Sequence, residues 1–229
     1  MMTRLLIPFI FGLVGATILV SLGLWQIQRL QWKQSVLSDI EDRIMAVPVA
    51  VPLRPDPRAD RYLPVIATGV VGPEFIRILA SQKRIGAGYR VISPLQVGTR
   101  SILLDRGFVK HDEAVPPSLE QPVKLVGNLH WPDEVDRYTP KPDYSRNIWF
   151  ARDLPALAAA LKTEPVLFVL RQTLDPPEAR AAVVSPLPVD TQGIPNDHLQ
   201  YAITWFLLAA IWLFMTGYFI TRNTSKIES

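Results

Sequence analysis

The residues with chemical potential gather in one short stretch, Pro195-Asn196-Asp197-His198-Leu199-Gln200-Tyr201. Pro195 cannot extend a helix backwards, and Asn196 or Asp197 can cap a first turn. His198 is then expected in the first turn of a helix, whose partial positive charge disfavours imidazolium. A neutral imidazole can offer a ring nitrogen to a metal. Trp205, Trp212 and Phe219 follow at intervals of seven, with Tyr201 one turn in. Seven residues nearly close two helical turns, so these aromatics share a face. An imidazole above an aromatic stripe suits a planar apolar cofactor such as haem. Tryptophan and tyrosine also collect at membrane interfaces and pack at helical spacing without any ligand.

That helix has the length and composition of a membrane span. Leu199 to Ile220 carries no charge, and 22 residues rise roughly 33 Å against a bilayer core of about 30 Å. A second uncharged run lies at 5–24, with Pro8 placed in the first turn of its helix. Arg4 and the small residues around Ser21-Leu22-Gly23 also fit a cleaved signal peptide, but the apolar run exceeds the usual h-region, which favours a retained span. Gly12 and Ala16 would let another helix approach closely, and the second span is the candidate. Trp25 and Trp32, seven apart, with Arg29 and Lys33, form a helical exit segment at 25–46. Interface anchoring accounts for them; Arg29 would also suit a carboxylate near the surface.

Arg222 and Lys226 follow the second span while Asp190 and Asp197 precede it. The positive-inside rule then places the 221–229 tail in the cytoplasm. Two spans, 5–24 and 198–220, bring the N-terminus to the same side and leave 47–196 outside.

Residues 47–64 are proline-rich and read as an extended connector. Short apolar runs follow at 63–71, 75–81, 89–97, 100–109 and 123–130, separated by Gly and Pro breaks, with further strands expected at 147–151 and 166–172. This spacing predicts a mainly antiparallel β barrel or sandwich. Asp153 is placed to cap a short helix over 154–162. Adjacent Asp105 and Arg106 point to opposite faces of a strand and need separate partners. Gly107 allows a bulge or a close backbone approach, and His130 is read as structural.

The 229 residues contain no cysteine and three histidines, with a net charge of +3. Thiolate sites and disulfides are excluded, and a multi-histidine metal site is disfavoured. The scattered Lys and Arg give no nucleic-acid surface. No phosphate loop, HExxH, GxSxG or nucleophile–base constellation is present, so no enzyme is expected.

Four stretches together carry a resemblance: Gly23-Leu24-Trp25-Gln26 with Arg29 and Trp32-Lys33; Gly88-Tyr89-Arg90-Val91-Ile92-Ser93-Pro94; Leu104-Asp105-Arg106-Gly107-Phe108-Val109; and Pro195 through Phe206. The ordered set resembles the surfeit locus protein 1 family, assembly factors for haem–copper cytochrome c oxidase. Phe108-Val109-Lys110 and Asp197 depart from common family residues but keep the aromatic, the cap and the histidine. The absence of an Arg-rich presequence points to a bacterial inner-membrane member with a periplasmic main domain and both termini cytoplasmic. The resemblance implies a haem a chaperone serving oxidase subunit I, with haem a synthase as a further partner and His198 as the axial ligand. Trp25, Arg29, Tyr201 and Trp205 are inferred to line the pocket. The alternative is a non-haem scaffold that stabilises oxidase assembly intermediates.

Overall fold

The computed structural model describes residues 2–83, 85–118, 121–175 and 184–225; Lys226, used above for orientation, lies outside them. Two compact units result, one of residues 1–39 with 191–229, the other of residues 40–190.

The first unit holds two helices, α1 (Met2–Met45) and, at the far end of the chain, α3 (His198–Ser225). Both are long and apolar enough to cross a membrane. Most of their large apolar side chains are exposed, including Phe11, Ile18, Phe214 and Phe219. Uncovered apolar surface on this scale is stable only against lipid. The chain therefore has the architecture of a two-span membrane protein with an α+β domain between the spans. Pro8 lies inside α1 and not in its first turn, because the helix already begins at Met2. Its missing N–H removes one backbone bond there.

The second unit is a mixed sheet of eight strands: β1 (Val49–Ala50), β2 (Pro64–Val71), β3 (Ile76–Gln82), β4 (Gly86–Val97), β5 (Arg100–Lys110), β6 (Val123–His130), β7 (Ile148–Trp149) and β8 (Glu164–Asp175). The order is β1-β2-β6-β8-β5-β4-β3-β7, with β2 also pairing β4. That extra pairing, Val70 with Gln96 and Val71 with Leu95, closes β2, β6, β8, β5 and β4 into a five-stranded barrel. Gly69 stands at the closure, where a Cβ would strike the Gln96 carbonyl. Pairing is antiparallel except for β1–β2, β3–β7 and β5–β8. The connector is thus partly built in: β1 arises from it, and Val51 and Leu63 pack on the core.

β5 and β8 are buried on both faces, which explains the consecutive apolar residues at 102–104 of β5 and 166–170 of β8. Ile102, Leu104, Val166, Phe168 and Leu170 face one core, with Val65, Leu95, Leu125 and Leu129. Leu103, Leu167 and Val169 face a second core, beneath α2 (Leu154–Leu161). Trp131 touches both. Asp153 caps α2, its carboxylate accepting from Ala156 N–H at 3.2 Å, and Lys162 ends the helix at φ 54°.

In β5 the register shifts opposite Val91 and Ile92, so that Asp105 pairs with Ile92 and Gly107 with Val91. Arg106 is the extra residue of a bulge, which lets both neighbours be buried. Gly107 sits at φ 119°, and a Cβ there would run into the Ser185 carbonyl. A side chain at this position is excluded by backbone conformation and by space.

Candidate functional site

Within the helical unit, buried and half-buried positions on α1 recur at Gly12, Ala16, Leu19, Gly23, Gln26 and Leu30, alternating steps of four and three. On α3 the same rhythm runs through His198, Ala202, Trp205, Ala209, Trp212 and Thr216. This is the seam of a two-helix coil. The contacts fix its direction. Gly12 faces Thr216, Gly15 faces Trp212, Gly23 faces Phe206 and Gln26 meets His198. Positions rise on one helix as they fall on the other, so the pair is antiparallel. Small residues permit the approach: a Cβ on Gly12 would overlap the Thr216 side chain, and one on Gly15 the Trp212 indole. Trp212 Nε1 donates to the Gly12 carbonyl at 2.9 Å, and its ring meets Phe11 at 5.4 Å.

At the end of the seam, His198 is half-buried and its Nδ1 lies 2.8 Å from Gln26 Oε1. With the amide oxygen facing the ring, the tautomer that suits this contact donates from Nδ1, and in it Nε2 has a free lone pair. This is how a second residue fixes the tautomer and aim of a metal-binding imidazole. Gln26 is nine-tenths buried, which makes the bond hard to replace by water. Asp197 precedes the helix, its carbonyl accepting from Tyr201 N–H at 3.2 Å, and the Asn196 Oδ1 is buried with no partner among the described residues.

The other expected site residues lie on the same two helices, Trp25 and Arg29 on α1 and Tyr201 and Trp205 on α3. Arg29 lies over the rings of Trp25 and Trp32, at 5.7 and 5.2 Å. Trp25 and Tyr201 are about half exposed, at 48% and 56%, while Trp205 turns into the seam. An imidazole nitrogen, aromatic faces and a guanidinium are groups that a haem iron, a porphyrin ring and a propionate can use. The residues present fit the group. The motif around Gln26 is visible in the sequence, but its bond to His198 spans 172 positions; the periodicity of buried positions on α1 is the signal that could have found it.

The other two histidines belong to the β domain. His111 Nδ1 is 2.7 Å from the Tyr89 hydroxyl. His130 is buried and stacks on Tyr62, and its Nδ1 has no partner among the described residues. Burial, with Arg152 and Arg61 close by, lowers its pKa to about 3. Beside it runs an ion network. Arg90 Nε donates to Asp105 Oδ2 at 2.7 Å, and Arg152 stands 3.8 Å from the same carboxylate while binding Glu134 with its guanidinium. Arg90 also donates to the Leu187 carbonyl at 2.7 Å. Asp105 is fully buried; burial pushes its carboxyl up against the pull of both arginines. For Glu134 burial works the same way, but the Arg152 bonds prevail and hold it below the usual range. Among the described residues no three of His, Cys, Asp and Glu come together as a metal site.

Comparison with known proteins identifies the family of the chain. The sequence model described as the SURF1 family matches residues 13–210, which takes in most of α1, the whole β domain and the first half of α3. Surfeit locus protein 1 of Xenopus tropicalis is 30% identical over 217 residues, covering 83% of this chain and 68% of that protein. A SURF1-like protein of Rickettsia prowazekii (strain Madrid E) is 28% identical over 222 residues, covering 92% and 87%. Surfeit locus protein 1 of Homo sapiens is 28% identical over 215 residues, covering 82% and 69%. With the match running from the first helix through the barrel to the second, the chain belongs to the SURF1 family.

Proposed function

We propose that this protein is an assembly factor for haem–copper cytochrome c oxidase that holds haem a through His198 and passes it to subunit I. The observation that carries the reading is the His198–Gln26 pair, which leaves Nε2 of an oriented, half-buried imidazole available at the end of a membrane helix pair. Trp25, Tyr201 and Trp205 offer faces for the ring, and Arg29 a cation for its carboxylates. A single histidine suits temporary custody: it holds the cargo against loss to lipid, and an acceptor with two ligands of its own outcompetes it. Haem a synthase is the natural supplier. The protein sits in a bacterial inner membrane with the β domain periplasmic and both termini cytoplasmic, the orientation supported by Arg222 following α3.

The test is the visible spectrum of protein purified from cells that make haem a. Wild type, Asp197→Asn, His111→Ala and His130→Ala are expected to carry a Soret band stoichiometric with protein. His198→Ala is expected to lose it at equal amounts of folded protein. A colourless wild type that still co-purifies with subunit I would overturn the haem reading in favour of a scaffold.

A further inference from the structure

Between β6 and β7 the chain runs through residues 131–147 with no strand or helix, only an isolated bridge from Asp143 to Ile148. Loops longer than about 12–15 residues are usually functional or disordered, and this one is pinned along its length. Asp136 accepts from the Tyr138 N–H at 2.8 Å and from the Thr139 hydroxyl at 3.1 Å. Asp143 accepts from the Ser145 hydroxyl at 2.6 Å and from the Arg146 N–H at 3.1 Å. Glu134 takes the Arg152 N–H at 2.9 Å, and the Asn147 side chain donates to the Phe75 carbonyl at 2.7 Å. Held in this way, the loop and the start of α2 border a cavity of about 260 Å³, walled by Pro140, Pro142, Tyr144, Trp149 and Phe150. Tyr144 stands edge-on to Trp149 at 5.8 Å. Trp149 is buried, whereas Tyr144 is 74% and Phe150 39% exposed, so the aromatic wall continues onto the surface.

We propose that this cavity docks an acidic segment of a partner protein, which inserts one aromatic side chain between the walls and sets a flanking carboxylate on Lys141. Size points to a side chain. The volume falls short of the about 300–1,000 Å³ of small-molecule sites, but it admits a single ring of the kind that anchors protein contacts. Charge points to the flanking residue. Glu134 is committed to Arg152, and Asp136 and Asp143 to their own turns, where the Tyr138 N–H and the Ser145 hydroxyl hold them below the usual carboxylate range. Asp153, also at the cavity, caps α2. Lys141 lines the cavity, is exposed, and makes no hydrogen bond or ion pair among the described residues. The charge left without a partner on the wall is therefore a cation, and an acidic chain complements it. The cavity lies wholly within the β domain, so the proposal goes beyond the haem reading without depending on it.

The probe is the capped tripeptide acetyl-Glu-Phe-Glu-amide, fluorinated on its ring and titrated into the full-length protein in nanodiscs, with fluorine NMR as the readout. Unlabelled peptides compete against it. Saturable binding is expected, with the alanine-centred peptide about tenfold weaker and the glutamine-flanked one about threefold weaker. Lys141→Glu is expected to weaken the acidic peptide about threefold and to strengthen its lysine-flanked counterpart by a similar factor. Lys124→Glu makes the same change in net charge at the far end of β6 and is expected to alter neither. Ala156→Leu, which fills the cavity from α2, is expected to abolish binding of both. Equal binding of the phenylalanine and alanine peptides would overturn the pocket, leaving charge attraction alone. A preference for glutamate that survives Lys141→Glu, or that Lys124→Glu removes equally, would overturn the role of Lys141 and with it the acidic partner. Absence of saturable binding below about 10 mM would overturn the proposal outright and leave the haem reading untouched.

Discussion

Removing the Asp105 carboxylate tests how the β domain is held together. Asp105 is wholly inaccessible and receives Arg90 at 2.7 Å, the Gly107 N–H at 3.1 Å and Arg152 at 3.8 Å. At an effective dielectric of about 20, the two ion contacts are worth roughly 6 and 4 kcal/mol gross. Desolvation of the three charges offsets most of this, which agrees with burial raising the Asp105 pKa despite both arginines. The difference appears when one partner is deleted. Asp105→Ala leaves the largely buried Arg90 without its carboxylate and with the Leu187 carbonyl, while Arg152 keeps Glu134. The expected loss is about 3–5 kcal/mol. Asp105→Asn keeps the volume and one acceptor, with an expected loss of about 1.5–3 kcal/mol. Arg90→Met with Asp105→Leu removes the pair together and should cost less than Asp105→Ala alone. Hydrogen exchange of β5, β6 and β8 amides in the full chain, in micelles, reads these opening energies. If Asp105→Ala changes them by less than about 1 kcal/mol, or if the double variant is the worst of the three, the argument from stranded charge is wrong.

Two further outcomes follow from the same geometry. His130, with a pKa near 3 against an ordinary 6.5, takes a proton more readily when unfolded, so its contribution is complete above pH 6.5 and is lost as pH falls towards 3. The loss is on the order of 3–5 kcal/mol at full protonation. Its imidazole resonances should not move between about pH 5 and 8, and a midpoint near 6.5 would refute the buried assignment. In the helix pair, Gly12→Leu with Gly15→Leu is expected to separate the seam at a cost of about 1–3 kcal/mol. Disulfide crosslinking between cysteines placed at Ala16 and Ala209 should then fall sharply, and unchanged yield would contradict the packing.

Much of the architecture is legible in the chain because it depends on near neighbours. The unbroken apolar runs of β5 and β8, the Asp153 cap, and the uncharged lengths of the two spans each express a local rule, and the structure contains them at those places. Gly12 and Ala16 mark a contact surface for the same reason: absence of side chain is itself a local property. The pairings are another matter. Gln26 with His198 and Arg90 with Asp105 join residues from separate elements, where register across the coil or the sheet selects the partner, and Arg152 with Glu134 joins two loops brought together by the fold. The reading of His130 as structural named no neighbours, because its burial comes from Tyr62 and the arginines folding over it. The bulge at Arg106 shows the limit most directly. Strict alternation sends Asp105 and Arg106 to opposite faces and gives no sign of the extra residue that shifts the register there.

The position of β8 bears on how the protein is made. Among the described strands it is the last to leave the ribosome, yet it lies between β5 and β6 in the finished barrel and pairs with both. Until residues near 175 have emerged, β5 and β6 each present a bare edge of unpaired amides and carbonyls, and Ile102, Leu104 and Leu125 lack the Phe168 they pack against. No native intermediate can close the ring earlier, since every route round it passes through this strand. Nascent chains therefore carry an adhesive, incomplete sheet while more than fifty residues remain to be added. Truncation before β8 is consequently expected to be more damaging than truncation after it, through capture by other chains and proteases and not through loss of any site.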